Sequence, residues 1–464
     1  MSIAVTLAPR LAIARLRGAR GGAVLDVLAV AAFTVSAFLA LTVAGGTWMF
    51  VQRWQHPTAA TLAAFDLDAP AAARVLEGYV ILAAVACALL VVPVLNLGAA
   101  AARLGARGRA RRLASLRLIG MTGPEVVTMS VIETLVQAAA GTALGSVLWT
   151  ISLPAWQVVT FQEQPVAAGE LLLPWWVVLA LVAALLSLGA LSAAVGLRRV
   201  HISPLGVALQ QTPRSLRLWR LGAFALALTA FAVFSRFFRV GTLELGIYVF
   251  FAAMVLLVVG AVNLVGPWIL QLLARPFART ASVPRLIAMR RIVDDPRGAW
   301  RNVSAVALLG TVSAYAAIVP TDPAALGDDP RDLTAVTDLR TGVLIALAVG
   351  LVVAAVSTLV NQAATVVDRA EESVAMDRAG VPRPVLDAVR RYHVLAPLVF
   401  TLAVSVGVGF LLVTPFTGMF GIQASGVLLV LLTVVVGLLL TLGVAEACRP
   451  LQRAVLAQTS RRND

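Results

Sequence analysis

Runs of about 20 apolar residues recur along the chain and are separated by short, more polar segments. A helix of that length crosses the hydrocarbon core of a bilayer, so each run is a candidate transmembrane helix. Because 60% of the 464 residues are hydrophobic and only 13% are charged, we predict an all-α polytopic membrane protein with about ten spans. The ten predicted spans are residues 24–51, 79–102, 126–152, 174–197, 221–239, 245–273, 303–320, 340–364, 392–415 and 424–448.

The arginines are distributed unevenly between the segments that connect these spans. Of the 37 basic residues, all arginine, 31 fall in residues 1–23, 103–125, 198–220, 274–302, 365–391 and 449–464. The positive-inside rule therefore predicts that these segments and both termini are cytoplasmic. The same rule accounts for the basic charge, so we predict no nucleic-acid partner. Because a P-loop needs a lysine, the chain cannot carry an ordinary Walker-type ATPase domain.

Two cytoplasmic stretches look like copies of one element. Residues 103–126 and 368–386 align at an offset of 260, which pairs Gly120 with Gly380 and Pro124 with Pro384. This duplication groups the spans as 4+2+4. The predicted parts are a cytoplasmic N-terminal segment (1–23), a first four-helix repeat (24–210), a linking two-helix unit (211–282), a second four-helix repeat (283–455) and a cytoplasmic tail (456–464).

The sequence RLASLRLIG at residues 112–120 resembles the REIALLRAIG segment between the second and third helices of FtsX-like permease domains of ABC transporters. Here Arg112 stands where that family has glutamate. The second copy keeps the glutamate as Glu372 but has Asp377 where arginine is expected. The 4+2+4 layout is similar to permeases of bacitracin-type exporters, although the segment 321–339 is too short for their large extracellular domain.

This resemblance implies a permease subunit in a bacterial cell membrane, with two copies of a separate ABC-type ATPase as partners. ATP and Mg²⁺ would be bound by the ATPase, so we predict no cofactor and no metal in this chain. Each repeat would carry a short amphipathic coupling helix that docks on the ATPase. The alternative interpretation is an arginine-rich loop held by lipid phosphates. The predicted docking residues are Arg112, Leu113, Leu116, Arg117 and Gly120 in the first copy and Glu372, Val374, Met376, Asp377 and Gly380 in the second.

Polar and small residues inside the spans are the other candidates. Glu133 and His393 occupy equivalent positions at membrane depth, where ionisable groups are costly and are functional candidates, although an interfacial or structural role remains open. The spacing of Gly141 with Gly145, and of Ser405 with Gly409, predicts close helix contacts. The 260-residue offset between Gly145 and Ser405 suggests a central seam at which the two repeats meet. Gln137, on the Gly141 face, could hydrogen-bond across that contact.

No nucleophile triad, zinc-ligand spacing or glycine-rich phosphate loop occurs in the sequence, so we predict no catalytic residues. The expected function is export or extraction of an amphipathic or hydrophobic substrate, with membrane lipids in contact and ATP hydrolysis in the partner. Two other classes remain open. One is a secondary transporter with a 4+4 repeat. The other is a signalling or scaffold subunit that transmits motion without moving cargo.

Overall fold

The computed structural model describes residues 22–65, 69–118, 121–201, 219–237, 245–317, 330–420 and 424–453. Almost all of these residues are helical. The helices are α1 (Gly22–Gln55), α2 (Ala59–Phe65), α3 (Ala69–Leu118), α4 (Gly123–Ser152), α5 (Trp175–His201), α6 (Trp219–Phe237), α7 (Leu245–Phe277), α8 (Val283–Asp294), α9 (Pro296–Ala316), α10 (Pro330–Asp368), α11 (Ala370–Arg378), α12 (Arg383–Phe420) and α13 (Ala424–Ala447).

Eight of the described helices are long and apolar enough to cross a membrane, as an all-α polytopic membrane protein requires. These candidate spans are Leu25–Gln55, Ala72–Leu104, Gly123–Val158, Trp175–Val195, Phe250–Phe277, Thr334–Val367, Arg383–Thr414 and Ala424–Arg453. Each overlaps a span predicted from the sequence.

The fifth and seventh predicted spans, 221–239 and 303–320, are helical but are not among the eight. The apolar part of α6 is the shorter stretch Trp219–Phe234. The first turns of α9 carry Arg297, Arg301 and Asn302, which shorten its apolar length, and residues 318–329 lie outside the described part. The ten-helix 4+2+4 layout therefore stays a prediction.

Local sequence explains where several helices begin. Before α4, the Thr122 N–H donates to Glu125 Oε2 at 2.9 Å in a capping box, and Pro124 stands in the first turn. Before α9, Asp295 Oδ1 accepts a hydrogen bond from the Gly298 N–H at 2.9 Å, and Pro296 is the first helical residue. Both starts use a side-chain acceptor for an otherwise unpaired N–H.

The same helix pairs pack together in the two halves of the chain. In the first half α1 packs against α3 and α4, and α4 packs against α5. In the second half α9 packs against α10 and α12, and α12 packs against α13. Helices at corresponding positions in the two halves therefore have corresponding packing partners.

The two halves meet mainly where α3 packs against α10. Buried alanines on both sides, Ala100 and Ala101 on α3 with Ala363 and Ala364 on α10, belong to one apolar cluster. Small side chains allow two helices in a membrane to approach closely. The halves are thus joined through the second helix of each repeat.

The pair α6 and α7 also connects the halves. Helix α7 packs against α3 of the first half and against α9 of the second. The Trp300 Nε1–H on α9 donates to Asn263 Oδ1 on α7 at 3.1 Å, and a Cβ on Gly266 would meet the Trp300 ring at 2.4 Å. A glycine is therefore needed at position 266, where the Trp300 ring packs against α7.

The described strands form one short hairpin between α4 and α5. A 3₁₀ turn (Leu153–Val158) leads into β1 (Thr160–Phe161), which pairs antiparallel with β2 (Gln164–Pro165). Gln162 and Glu163 at its tip have φ values of 57° and 59°. Such turns usually contain Asn or Gly, so this hairpin could not be predicted from its turn residues.

Candidate functional site

Helix α11, which lies within the second predicted docking element (368–386), is a separate nine-residue helix between two candidate spans. It begins after Arg369, whose φ of −101° and ψ of 18° interrupt the helical path from α10. At its other end Gly380 has a φ of +81°, and the Val381 N–H donates to the Met376 carbonyl at 3.1 Å. A glycine in the left-handed conformation is a common helix stop, and Pro382 beyond it prevents continuation.

The side chains of α11 divide into an attached face and a free face. Val374 is buried and Met376 is half-buried. Ala375, Arg378 and Ala379 are exposed. Val374, predicted as a docking residue, therefore holds α11 against the protein, whereas Glu372 and Gly380, also predicted for docking, are exposed.

Two acidic residues of α11, Glu372 and Asp377, are paired within the chain. Glu372 Oε1 accepts from Arg291 Nη2 of α8 at 2.8 Å, and its Oε2 lies 3.6 Å from Arg369 Nη1. Asp377 lies 3.6 Å from the exposed Arg383. Burial lowers the pKa of the Arg291 guanidinium, and the nearby Glu372 carboxylate opposes that change. These pairs hold α11 to the flanking α8 and to the start of α12.

The first predicted docking element is not a separate helix. Arg112, Leu113, Leu116 and Arg117 lie in the last turns of α3, which continues through Leu118. Their side chains and Gly120 lie outside the described residues. A 50-residue helix is about 75 Å long, whereas a bilayer with its headgroups is about 40–45 Å thick. The arginine-rich end of α3 therefore extends beyond the candidate span Ala72–Leu104.

Glu133 and His393 are both buried, each near the beginning of its helix. In the first half, Gln137 Nε2, one turn after Glu133, donates to Asp26 Oδ1 of α1 at 2.9 Å. Gln137 thus forms the hydrogen bond across a helix contact that the sequence suggested. His393 lies beside a cavity lined also by Asn302 of α9. The two residues occupy related places but have different surroundings.

The small residues make two contacts, one within each half. A Cβ on Gly145 would stand 2.5 Å from the Thr34 carbonyl oxygen and 2.7 Å from Ala37 Cβ, both on α1. A Cβ on Gly409 would stand 2.6 Å from the Thr311 carbonyl oxygen of α9.

Gly141 also faces α1, where a Cβ would stand 2.6 Å from Phe33 Cβ, and Ser405 contacts Gly310 of α9. The structure therefore has no shared seam through these four residues among the described helices. Instead, the third helix of each repeat packs on the first helix of the same repeat, and α3 with α10 joins the halves.

A buried polar cluster at the opposite end of the bundle was missed by sequence reasoning. Arg53 at the end of α1 is only 4% exposed, and its Nη2 donates to Glu170 Oε2 at 2.7 Å. Its Nη1 donates to the carbonyl oxygen of Phe161 in the hairpin at 2.8 Å. The available signal was that Arg53 is one of six arginines outside the predicted cytoplasmic segments.

The same cluster includes the start of α10. Asp338 Oδ2 accepts from the Tyr79 hydroxyl at 2.6 Å and from the Gln162 N–H at 2.8 Å. Glu163 Oε1 accepts from the Thr334 hydroxyl at 2.8 Å. The hairpin after α4 is therefore tied to α1, α3 and α10, which links the first repeat to the second at this end.

The other end of the bundle gathers arginine pairs. Glu446 of α13 accepts from Arg390 at 3.2 Å and from Arg391 at 2.8 Å, and Asp387 accepts from Arg449 at 2.9 Å. This end also holds α8, α11 and the beginnings of α9 and α12. We call it the arginine-rich end.

No protein-family model matches the chain, and no significant match to a curated protein is found.

Proposed function

We propose that this chain is the permease subunit of an ABC transporter of the FtsX-like class, and that α11 is one of its contacts with a separate ATPase. The observation that carries the proposal is α11 itself: a short helix between two candidate spans, held at both ends and exposing Ala375, Arg378 and Ala379. A short helix with an attached face and a free face is suited to seat in a groove of a partner.

The packing of the two halves supports the proposal. Each half places its third helix on its first through glycine contacts, and the halves meet at α3 and α10. The helices that join the halves are the same ones that lead into the two proposed docking elements. Arg369 is the single residue between α10 and α11. A displacement of α11 would therefore be transmitted through α10 to the junction between the halves.

The two docking elements differ in shape, and so we propose that they hold the ATPase differently. The first is the continuous end of α3, whereas the second is separated from α10. In the second, Glu372 is paired with Arg291 and Asp377 with Arg383. The cargo we propose is amphipathic and membrane-embedded, moved while the partner hydrolyses ATP in a bacterial cell membrane.

Site-specific crosslinking tests the docking proposal. We would place a photo-crosslinking residue at Ala375 or Ala379 and irradiate native membranes, with exposed Ala60 of α2 at the opposite end as the matched control. The expected result is an adduct at positions 375 and 379 that contains Walker-motif peptides, and none at position 60. An α11 that crosslinks to no nucleotide-binding polypeptide would refute the docking role.

Flux in reconstituted vesicles separates the remaining classes. We expect transport of a fluorescent amphipathic substrate that requires ATP and the ATPase partner. Flux that follows an ion gradient and ignores ATP would favour the secondary transporter. A stable ATPase complex without flux would favour the signalling or scaffold subunit.

A further inference from the structure

A polar cavity of about 70 Å³ lies at the arginine-rich end, between α3, α9, α10 and α12. Three of its lining residues are arginines from different elements: Arg103 of α3, Arg301 of α9 and Arg369 after α10. Asp295 is the acidic group among its lining residues, and Glu372 reaches Arg369 from outside at 3.6 Å. The described surroundings of the cavity are therefore net positive.

Two buried residues that line this cavity each have a side-chain nitrogen atom without a hydrogen-bond partner in the described structure. Asn302 is 3% exposed and its Nδ2 is unpaired, and His393 is 6% exposed and its Nε2 is unpaired. The neighbouring Asn361 Nδ2 instead donates to the Arg301 carbonyl at 3.0 Å. An unpaired buried polar group costs about 1–3 kcal/mol, so the Asn302 amide nitrogen points to a ligand that accepts hydrogen bonds. His393 Nε2 can donate to the same ligand when it carries the imidazole proton.

The chemistry of these groups selects an oxyanion. Guanidinium groups present several N–H donors and match the geometry of phosphate oxygens, and the Asn302 amide adds a neutral donor. A cation would meet three like charges at this cavity. An apolar ligand would leave the amide and the imidazole nitrogen unpaired.

We propose that this cavity binds a phosphoryl anion, and that Arg103, Arg301, Arg369, Asn302 and His393 form the site. The anion is either the headgroup phosphate of a membrane lipid or free inorganic phosphate. The lipid source fits the position of the cavity at the end of the candidate spans, where basic pockets between helices bind lipid headgroups. The site stands independently of the proposed ATPase partner, because its evidence and its test concern binding alone.

The site adjoins the proposed docking helix. Arg369 lines the cavity and also directly precedes α11, where it lies near Glu372. An anion in the cavity would draw the Arg369 guanidinium toward itself and weaken that pair. Occupancy of the site would thus alter the attachment of α11.

The test measures anion binding by the full-length protein in a phosphate-free, uncharged detergent. Melting temperature is followed while inorganic phosphate or short-chain phosphatidic acid is added, and native mass spectrometry counts retained phospholipids. The variants are Asn302→Asp, which keeps the side-chain shape but adds a repelling charge, and Arg301→Gln. Arg297→Gln is the control, because Arg297 is exposed on the same helix and does not line the cavity.

We expect the apparent affinity to fall about tenfold or more in Asn302→Asp and in Arg301→Gln, as loss of a charge-assisted hydrogen bond implies, with Arg297→Gln unchanged. A response to both ligands identifies a general phosphoryl site, and a response to phosphatidic acid alone identifies a lipid site. Absence of any response to either ligand overturns the proposal, as does an equal loss in Arg297→Gln. If Arg301→Gln does not elute as a single species, the proposal is judged on the apparent affinity of Asn302→Asp compared with that of Arg297→Gln.

Discussion

The contact between α12 and α9 allows a sharp test of the helix packing. In Gly409→Ala, the added Cβ would stand 2.6 Å from the Thr311 carbonyl oxygen and 2.7 Å from Ala314 Cβ. Carbon atoms pack at about 3.5–4.0 Å, so the helices must separate locally by roughly 0.8 Å or more. Overpacking of this kind costs about 1–3 kcal/mol.

Gly407→Ala is the matched control, two residues away on the same helix. A Cβ at Gly407 meets nothing within 4 Å. Because alanine is favoured over glycine in a helix by about 0.5–1 kcal/mol, we expect this variant to be neutral or slightly more stable. The free energies of unfolding of Gly409→Ala and Gly407→Ala should therefore differ by more than the loss that Gly409→Ala causes relative to the parent.

The assay is thermal and denaturant unfolding of the purified protein in detergent, followed by tryptophan fluorescence. Gly409→Ala should unfold earlier than the parent and Gly407→Ala should not. Adding Ala314→Gly to Gly409→Ala should recover part of the loss, because it removes one of the three atoms that lie within 3.0 Å of the added Cβ. Equal unfolding of Gly409→Ala and Gly407→Ala would refute the close packing of α12 on α9.

Two further predictions concern the opposite end of the bundle and the end of α11. Arg53→Met should destabilise the protein by about 1–3 kcal/mol, because it leaves the buried Phe161 carbonyl oxygen without its donor, whereas Arg74→Met at an exposed position should leave the unfolding midpoint unchanged. Gly380→Val should destabilise the end of α11 by about 1–2 kcal/mol, since a side chain disfavours a φ of +81°, and Gly380→Asn should lose less. Faster tryptic cleavage next to α11 would report that loss, and equal cleavage of both variants would contradict it.

The membrane spans were predictable because their signal is local. A run of about 20 apolar residues must satisfy its backbone as a helix in a bilayer wherever its neighbours lie. Eight candidate spans accordingly overlap predicted ones. The break at Gly380 was local as well, because glycine followed by Pro382 stops a helix whatever it packs against.

Helix partners could not be predicted from the sequence. The spacing of Gly145 and Ser405 correctly indicated close approach, but a small residue does not specify which helix approaches it. The 260-residue offset suggested a shared seam, whereas both residues face the first helix of their own repeat. Val374 is a predicted docking residue, and only the structure shows that its side chain is buried against the rest of the protein.

The sequence by itself determined that this chain is an all-α polytopic membrane protein with most of its arginines gathered in a few short segments, because hydrophobicity and charge act locally along the chain. Only the tertiary structure decided which helices touch and which polar groups meet. Arg53 reaches Glu170 across 117 positions, and Arg103 shares a cavity with His393. Such contacts depend on how whole helices are placed, and no spacing within one segment encodes that placement.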